Sequence, residues 1–158
     1  MEVKLLFGCF VLATLCHLGD SCSCLPASIQ KKYCDSDFVM KVRVKSTLQN
    51  PSGQQDFNDY YKIKILGSPW KFVDKKDVVD LKRVYTASNG AMCGVYLQKG
   101  KKYLISGSVG GDKMRINLCG SIVEKTRLSS STKKLKSRPP NCAVISGPTK
   151  IRRARRTA

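Results

Sequence analysis

Histidine is almost missing from this 158-residue chain, and its single copy, His17, lies close to the start. With His17 confined to a leader, no Ser-His-Asp or Cys-His pair remains for nucleophilic catalysis. The chain also lacks a Cys-x-x-Cys pair, which together with the missing histidine argues against a structural zinc finger. An enzyme is not expected. Acidic residues are scarce too, 11 against 29 lysines and arginines, for a formal charge of +18. Beyond residue 16 no apolar run approaches the twenty or so residues that a membrane helix needs, so no membrane span is expected. There is no internal repeat and no linker, and the length suits one domain.

What the first residues do contain is a secretory pattern. Lys4 supplies a positive start, residues 5–16 form an apolar run too short to cross a bilayer, and Gly19 and Ser21 are small. They stand at positions −3 and −1 of a cut that would leave Cys22 as the first residue of a secreted, extracellular protein. Cleavage removes Cys9 and Cys16 and leaves six cysteines: Cys22, Cys24, Cys34, Cys93, Cys119 and Cys142. An even number in an oxidising compartment predicts three disulfides, with fifteen connectivities open at this level. Loss of Glu2, Asp20 and Lys4 leaves 28 basic against 9 acidic residues. Outside the cell such a field favours sulfated polysaccharides of the matrix, such as heparan sulfate, over nucleic acid. The densest clusters are Lys133, Lys134 and Lys136, and Arg152, Arg153, Arg155 and Arg156 in a tail, residues 143–158, with little to bury.

Between these ends the periodicity is mostly that of strands. Residues 27–34 suit two turns of helix with Ile29 and Tyr33 on one face. Met40, Val42 and Val44 then alternate with Lys41, Arg43 and Lys45, and Tyr61, Ile63 and Ile65 with Lys62 and Lys64. These are half-buried strands with basic outer faces. Residues 81–86, 95–97, 102–106 and 114–118 read as further strands, with turns at Lys99-Gly100 and Gly110-Gly111-Asp112. From Ser121 to Leu135 the pattern shifts toward helix, with Ile122, Val123 and Leu128 as candidate buried positions, while Trp70 and Phe72 suit packing. Five to six short strands at regular spacing predict a mainly β fold, a small closed or nearly closed antiparallel barrel.

Several motifs resemble the tissue inhibitors of metalloproteinases, specifically their N-terminal netrin-like domain. The family's mature chains begin Cys-(Thr/Ser)-Cys-x-Pro, and here the start is Cys22-Ser23-Cys24-Leu25-Pro26. Cys34-Asp35-Ser36-Asp37 resembles its Cys-Asn-Ser-Asp, and Tyr61-Lys62-Ile63-Lys64 its Tyr-Glu-Ile-Lys. Val84-Tyr85-Thr86, Cys93-Gly94 and Tyr103-Leu104-Ile105-Ser106-Gly107 follow in matching order, so the likeness covers residues 22–142. The resemblance implies a five-stranded OB-type closed barrel with flanking short helices. It also implies the pairings Cys22–Cys93, Cys24–Cys119 and Cys34–Cys142.

The activity implied is inhibition of secreted or cell-surface zinc metalloproteases of the matrix metalloproteinase class, by a monomer without a cofactor of its own. In that scheme the α-amino and carbonyl groups of Cys22 chelate the zinc of the target, which the two proteins then share. Ser23, Cys24, Leu25 and Pro26 lie along the cleft as an uncut substrate, with Ala91, Met92 and Cys93 beside them. The chain departs from the family at Gly90-Ala91-Met92, where vertebrate members usually carry Glu-Ser-Val or similar. A counterpart of the family's second six-cysteine domain is not expected, nor is pro-enzyme binding through that domain. The alternative expectation is a netrin-like module that binds matrix or heparin without inhibiting anything.

Overall fold

Alternation along the first strand sets the barrel. The fold comes from a computed structural model that describes residues 22–72, 80–125 and 127–145. Strand β1 (Phe38–Val44) turns Phe38, Met40, Val42 and Val44 inward, all fully buried. Its neighbours are β2 (Asp59–Ile65), β3 (Lys71–Phe72), β4 (Arg83–Thr86), β5 (Lys102–Gly110), β6 (Lys113–Arg115) and β7 (Val123–Lys125). The sheet runs β3-β1-β2-β4-β6-β5-β7, and β1 also pairs with β5. That extra pairing closes five strands, β1-β2-β4-β6-β5, into a barrel and removes the free edges that an open sheet would leave. Strands β5 and β6 meet in a two-residue turn at Gly111 and Asp112, both with positive φ (53° and 65°). Such left-handed pairs match the twist of a tight hairpin.

A second, smaller core lies outside the barrel wall. Val39 and Leu104 point away from the interior and pack with Tyr33, Ile122 and Leu135, which explains why β1 is apolar on both faces near its start. Tyr33 comes from helix α1 (Ile29–Asp35), capped by the Ser28 hydroxyl, which accepts from the Lys31 amide. The Lys71 ammonium donates to the carbonyls of Tyr33 and Cys34 at the other end of that helix, at 3.1 and 2.8 Å. Leu135 comes from α2 (Ser130–Ser137), and α3 (Cys142–Ile145) follows. The Cys34–Cys142 disulfide ties α3 to α1.

Two sequence expectations need correction. Residues 95–97 do not form a ladder strand, although Val95 and Leu97 are buried and Tyr96 is exposed. Side chains take their backbone groups instead. The Val95 amide donates to Thr86 Oγ1, the Leu97 amide donates to the Tyr61 hydroxyl, and that hydroxyl donates to the Val95 carbonyl. The second correction concerns residues 121–135, where the pattern shifts toward helix. Residues 123–125 form β7 against β5, and the helix begins only at Ser130, where the Ser129 hydroxyl caps it. Ile122 is buried, whereas Val123 and Leu128 are only half-buried.

Candidate functional site

Residues 22–26 carry no regular structure, and Pro26 biases Leu25 toward extended backbone. Among the described residues, no hydrogen bond reaches the backbone of residues 22–26. What holds the segment is sulfur. Cys22 is bonded to Cys93 and Cys24 to Cys119, each with Cα atoms 5.1 Å apart. These, with Cys34–Cys142, are the pairs that the family resemblance implies. The two bridges lie side by side, with Cys22 Sγ 3.4 Å from Cys119 Sγ and Cys119 Sγ 3.6 Å from Cys93 Sγ. Sulfurs of Cys22, Cys24 and Cys119 are close enough together to suggest a metal cluster. All three are spent in disulfides and offer no thiolate, so the cluster does not fit a metal.

Both anchors are themselves braced. Cys93 sits at a positive φ of 60°, its amide donating to the Gly90 carbonyl and its carbonyl accepting from the Leu118 amide. Asn89 gathers the preceding loop: its side chain accepts from the Met92 amide at 3.0 Å and donates to Gln55 at 2.8 Å. Ser88 and Asp56 exchange backbone and hydroxyl bonds, which fastens the same loop to residues 54–58. The Asn58 amide holds the Asp56 carboxyl below the usual carboxylate range. Gly94 passes so close to the loop that a Cβ there would overlap the carbonyl oxygens of Ala87 and Asn89. On the other side Asn117 caps the turn that carries Cys119, accepting from the Gly120 amide at 2.6 Å.

Within this scaffold Cys22 is half-buried, while Ser23, Cys24, Leu25 and Pro26 are exposed. Ala91 is exposed, and Met92 and Cys93 are half-buried beside them. Leu25 is 91% exposed, and Leu118, next to the cysteine that holds Cys24, is 51% exposed. Residues 22–28, 88–95 and 117–121 contain no charged side chain, in a chain of +18. Charge reaches these segments only from their neighbours, with the Lys32 ammonium donating to the Ser121 carbonyl and Arg115 lining a cleft with Met92; few charges in the segment itself is the composition expected at the core of a protein–protein interface. The sequence reading placed Asn117 and Leu118 in a strand over 114–118, but the strand ends at Arg115; the available signal for a site role was their adjacency to Cys119.

The matching residues can be placed among known sequences. A model of the family described as Tissue inhibitor of metalloproteinase matches residues 20–142. This chain belongs to that family. Among its relatives is Metalloproteinase inhibitor 2 of Homo sapiens, 37% identical over 144 residues that cover 84% of this chain and 61% of the human protein. The rat and dog proteins of the same name are each 37% identical over 141 residues. The family is one of inhibitors rather than enzymes, by the names its members carry. The chain spans about three-fifths of the length of these relatives.

The other predicted residues lie elsewhere. Lys133, Lys134 and Lys136 are exposed on α2, and Lys41, Lys45, Lys62 and Lys64 are exposed on the barrel. Arg152, Arg153, Arg155 and Arg156 fall outside the described residues, as do residues 1–21 and most of the expected tail. Among the described residues no helix is long and apolar enough to cross a membrane.

Proposed function

We propose that this protein is a secreted inhibitor of zinc metalloproteases that acts through the backbone of Cys22. The observation that carries the reading is the double clamp on residues 22–24, in a chain of the inhibitor family. Two bridges on a terminal tripeptide restrain a segment that would otherwise fray. A restrained segment loses little further freedom when it enters a cleft, so more of its contact energy survives as affinity.

Once the leader is removed before Cys22, its α-amino nitrogen and carbonyl oxygen can close a five-membered ring on a metal. The zinc belongs to the target, whose catalytic site keeps one coordination position for water. Taking that position expels the nucleophile. The nitrogen must be unprotonated, which an ordinary α-amino pKa of about 7.7–8.0 allows near neutrality. Ser23 extends a small side chain toward the primed-side specificity pocket. Leu25, Pro26 and the Ala91–Met92 edge make contacts along the cleft.

The test is a titration against a panel of secreted zinc metalloproteases, with the N-terminal residue first verified by mass. Material that starts at Cys22 should inhibit at least one of them stoichiometrically. Verified material that inhibits none would overturn the reading.

A further inference from the structure

The loop that braces Cys93 carries a glycine the fold does not ask for. Gly90 has no positive φ, and a Cβ added there would meet nothing within 4 Å. Neither backbone geometry nor packing therefore requires glycine at this position. What glycine does is leave its own amide nitrogen unshielded. Among the described residues that N–H donates to nothing. The residue before it is Asn89, and of the five asparagines it alone precedes a glycine. Both residues are half-buried, so water reaches them.

We propose that Asn89 is a site of spontaneous deamidation, and that its isoaspartate product loosens the brace on Cys93 and with it the Cys22 edge. The Gly90 nitrogen gives up its proton to hydroxide and attacks Asn89 Cγ, closing a five-membered ring through Cβ, Cα and the main-chain carbonyl carbon. The Met92 amide, which donates to Asn89 Oδ1 at 3.0 Å, faces the oxygen on which negative charge develops. The Cγ–Nδ2 bond then breaks, and ammonia leaves with a proton taken from water, which restores the hydroxide. Water opens the imide at either carbonyl. Opening at Cγ yields aspartate; opening at the main-chain carbonyl yields isoaspartate, whose main chain runs through Cβ and Cγ. In sum one water is consumed and one ammonia released, with no change of oxidation state.

The bonds that Asn89 makes turn this chemistry into a structural event. Its side chain donates to Gln55 at 2.8 Å, and its carbonyl accepts from the Gly94 amide at 2.8 Å. Isoaspartate has no side-chain N–H for Gln55, turns that carbonyl into a carboxylate, and adds one atom to the main chain before Gly90. Gly94 has no slack to absorb the extra atom, since even a Cβ there would overlap the carbonyl oxygens of Ala87 and Asn89. The shift passes to Cys93 and, through its disulfide, to Cys22. A carboxylate also appears in residues 88–95, which have none. The chemistry is independent of the inhibitory reading; only its effect on inhibition rests on it.

The processed protein is kept for weeks at neutral pH and body temperature, beside its reduced, unfolded form and a Gly90→Ala variant, whose methyl group the loop has room for. Peptide mapping by mass, in water enriched in heavy oxygen, follows residue 89. The folded parent should convert, take up heavy oxygen and accumulate isoaspartate, while Gly90→Ala should stay intact. The isoaspartate form, separated by chromatography, should inhibit a metalloprotease about tenfold more weakly than fresh protein, as loss of one or two hydrogen bonds would give. Hydrogen exchange at the Met92 and Gly94 amides should be faster in that form, and it reports the loosening even where fresh protein inhibits no protease of the panel. Asn89 persisting in the folded parent while the unfolded chain converts would overturn the site. Equal conversion in Gly90→Ala would overturn the role of the Gly90 nitrogen. An isoaspartate form with unchanged exchange at those amides, or one that inhibits as tightly as active fresh protein, would overturn the link to the Cys22 edge.

Discussion

Removing the Cys24–Cys119 bridge while keeping the other two tests whether the clamp serves stability or function. Alone, that bridge closes a loop of 95 residues, worth about 4.7 kcal/mol on a chain-entropy estimate. It does not act alone. Cys22 is already bonded to Cys93, only two residues from Cys24, and Cys93 lies 26 residues from Cys119. With that bond in place the extra loop is about 28 residues, and the same estimate falls to about 3.6 kcal/mol. Cys24→Ala/Cys119→Ala should therefore lower the unfolding free energy by about 3–4 kcal/mol and Tm by about 15 °C. Domains of this kind have about 5–15 kcal/mol in total, so the barrel should stay folded at 25 °C. Inhibition should suffer more than folding does. Without that bridge nothing among the described residues holds residues 23–26 against the body, and ordering them falls on the binding step. Fixing four residues at about 1–2 kcal/mol each costs enough to weaken inhibition a hundredfold or more. Urea unfolding gives the first quantity, and progress curves against a metalloprotease give the second. A variant that loses stability as expected yet inhibits as tightly as the parent would refute the clamp argument.

Gly94→Ala places a methyl group on the carbonyls of Ala87 and Asn89; the loop must shift, with about 1–3 kcal/mol lost in thermal unfolding and weaker inhibition through Cys93. Lys71→Met removes both donors to the end of α1 and should cost about 1–2 kcal/mol in urea unfolding. Burial lowers the Lys71 pKa, so between its folded and unfolded values the unfolded chain binds more protons. The parent should gain stability as pH rises through that alkaline window, and Lys71→Met should lack the gain. Inhibition should weaken about tenfold per pH unit below the α-amino pKa, after correction for the protease's own pH profile, because the protonated amine has no lone pair to give.

Much of the barrel was legible because its strands obey one rule. Lys41, Arg43, Lys62 and Lys64 interrupt apolar residues at period two, so β1 and β2 read directly. Residues 95–97 carry the same alternation without a partner strand, because the Tyr61 and Thr86 hydroxyls satisfy their backbone. Alternation reports burial and is silent on what the amides bond to. Strand β7 was hidden by its shortness and by the helix that follows it at Ser130. At the site, Cys22 and Cys24 were conspicuous from their place at an expected cleavage signal. Leu118, Asn89 and Asn117 were not, since a loop brace is set by contacts between residues far apart in sequence.

The central claim is that Cys22 ligates the target's zinc through its backbone. A metalloprotease with cobalt in place of zinc reports its coordination in the visible spectrum. Processed protein beginning at Cys22 should change that spectrum in step with inhibition, and the same protein with one alanine ahead of Cys22 should do neither. Full inhibition by the processed protein with the cobalt spectrum unchanged, or equal inhibition by the extended protein, would contradict the account.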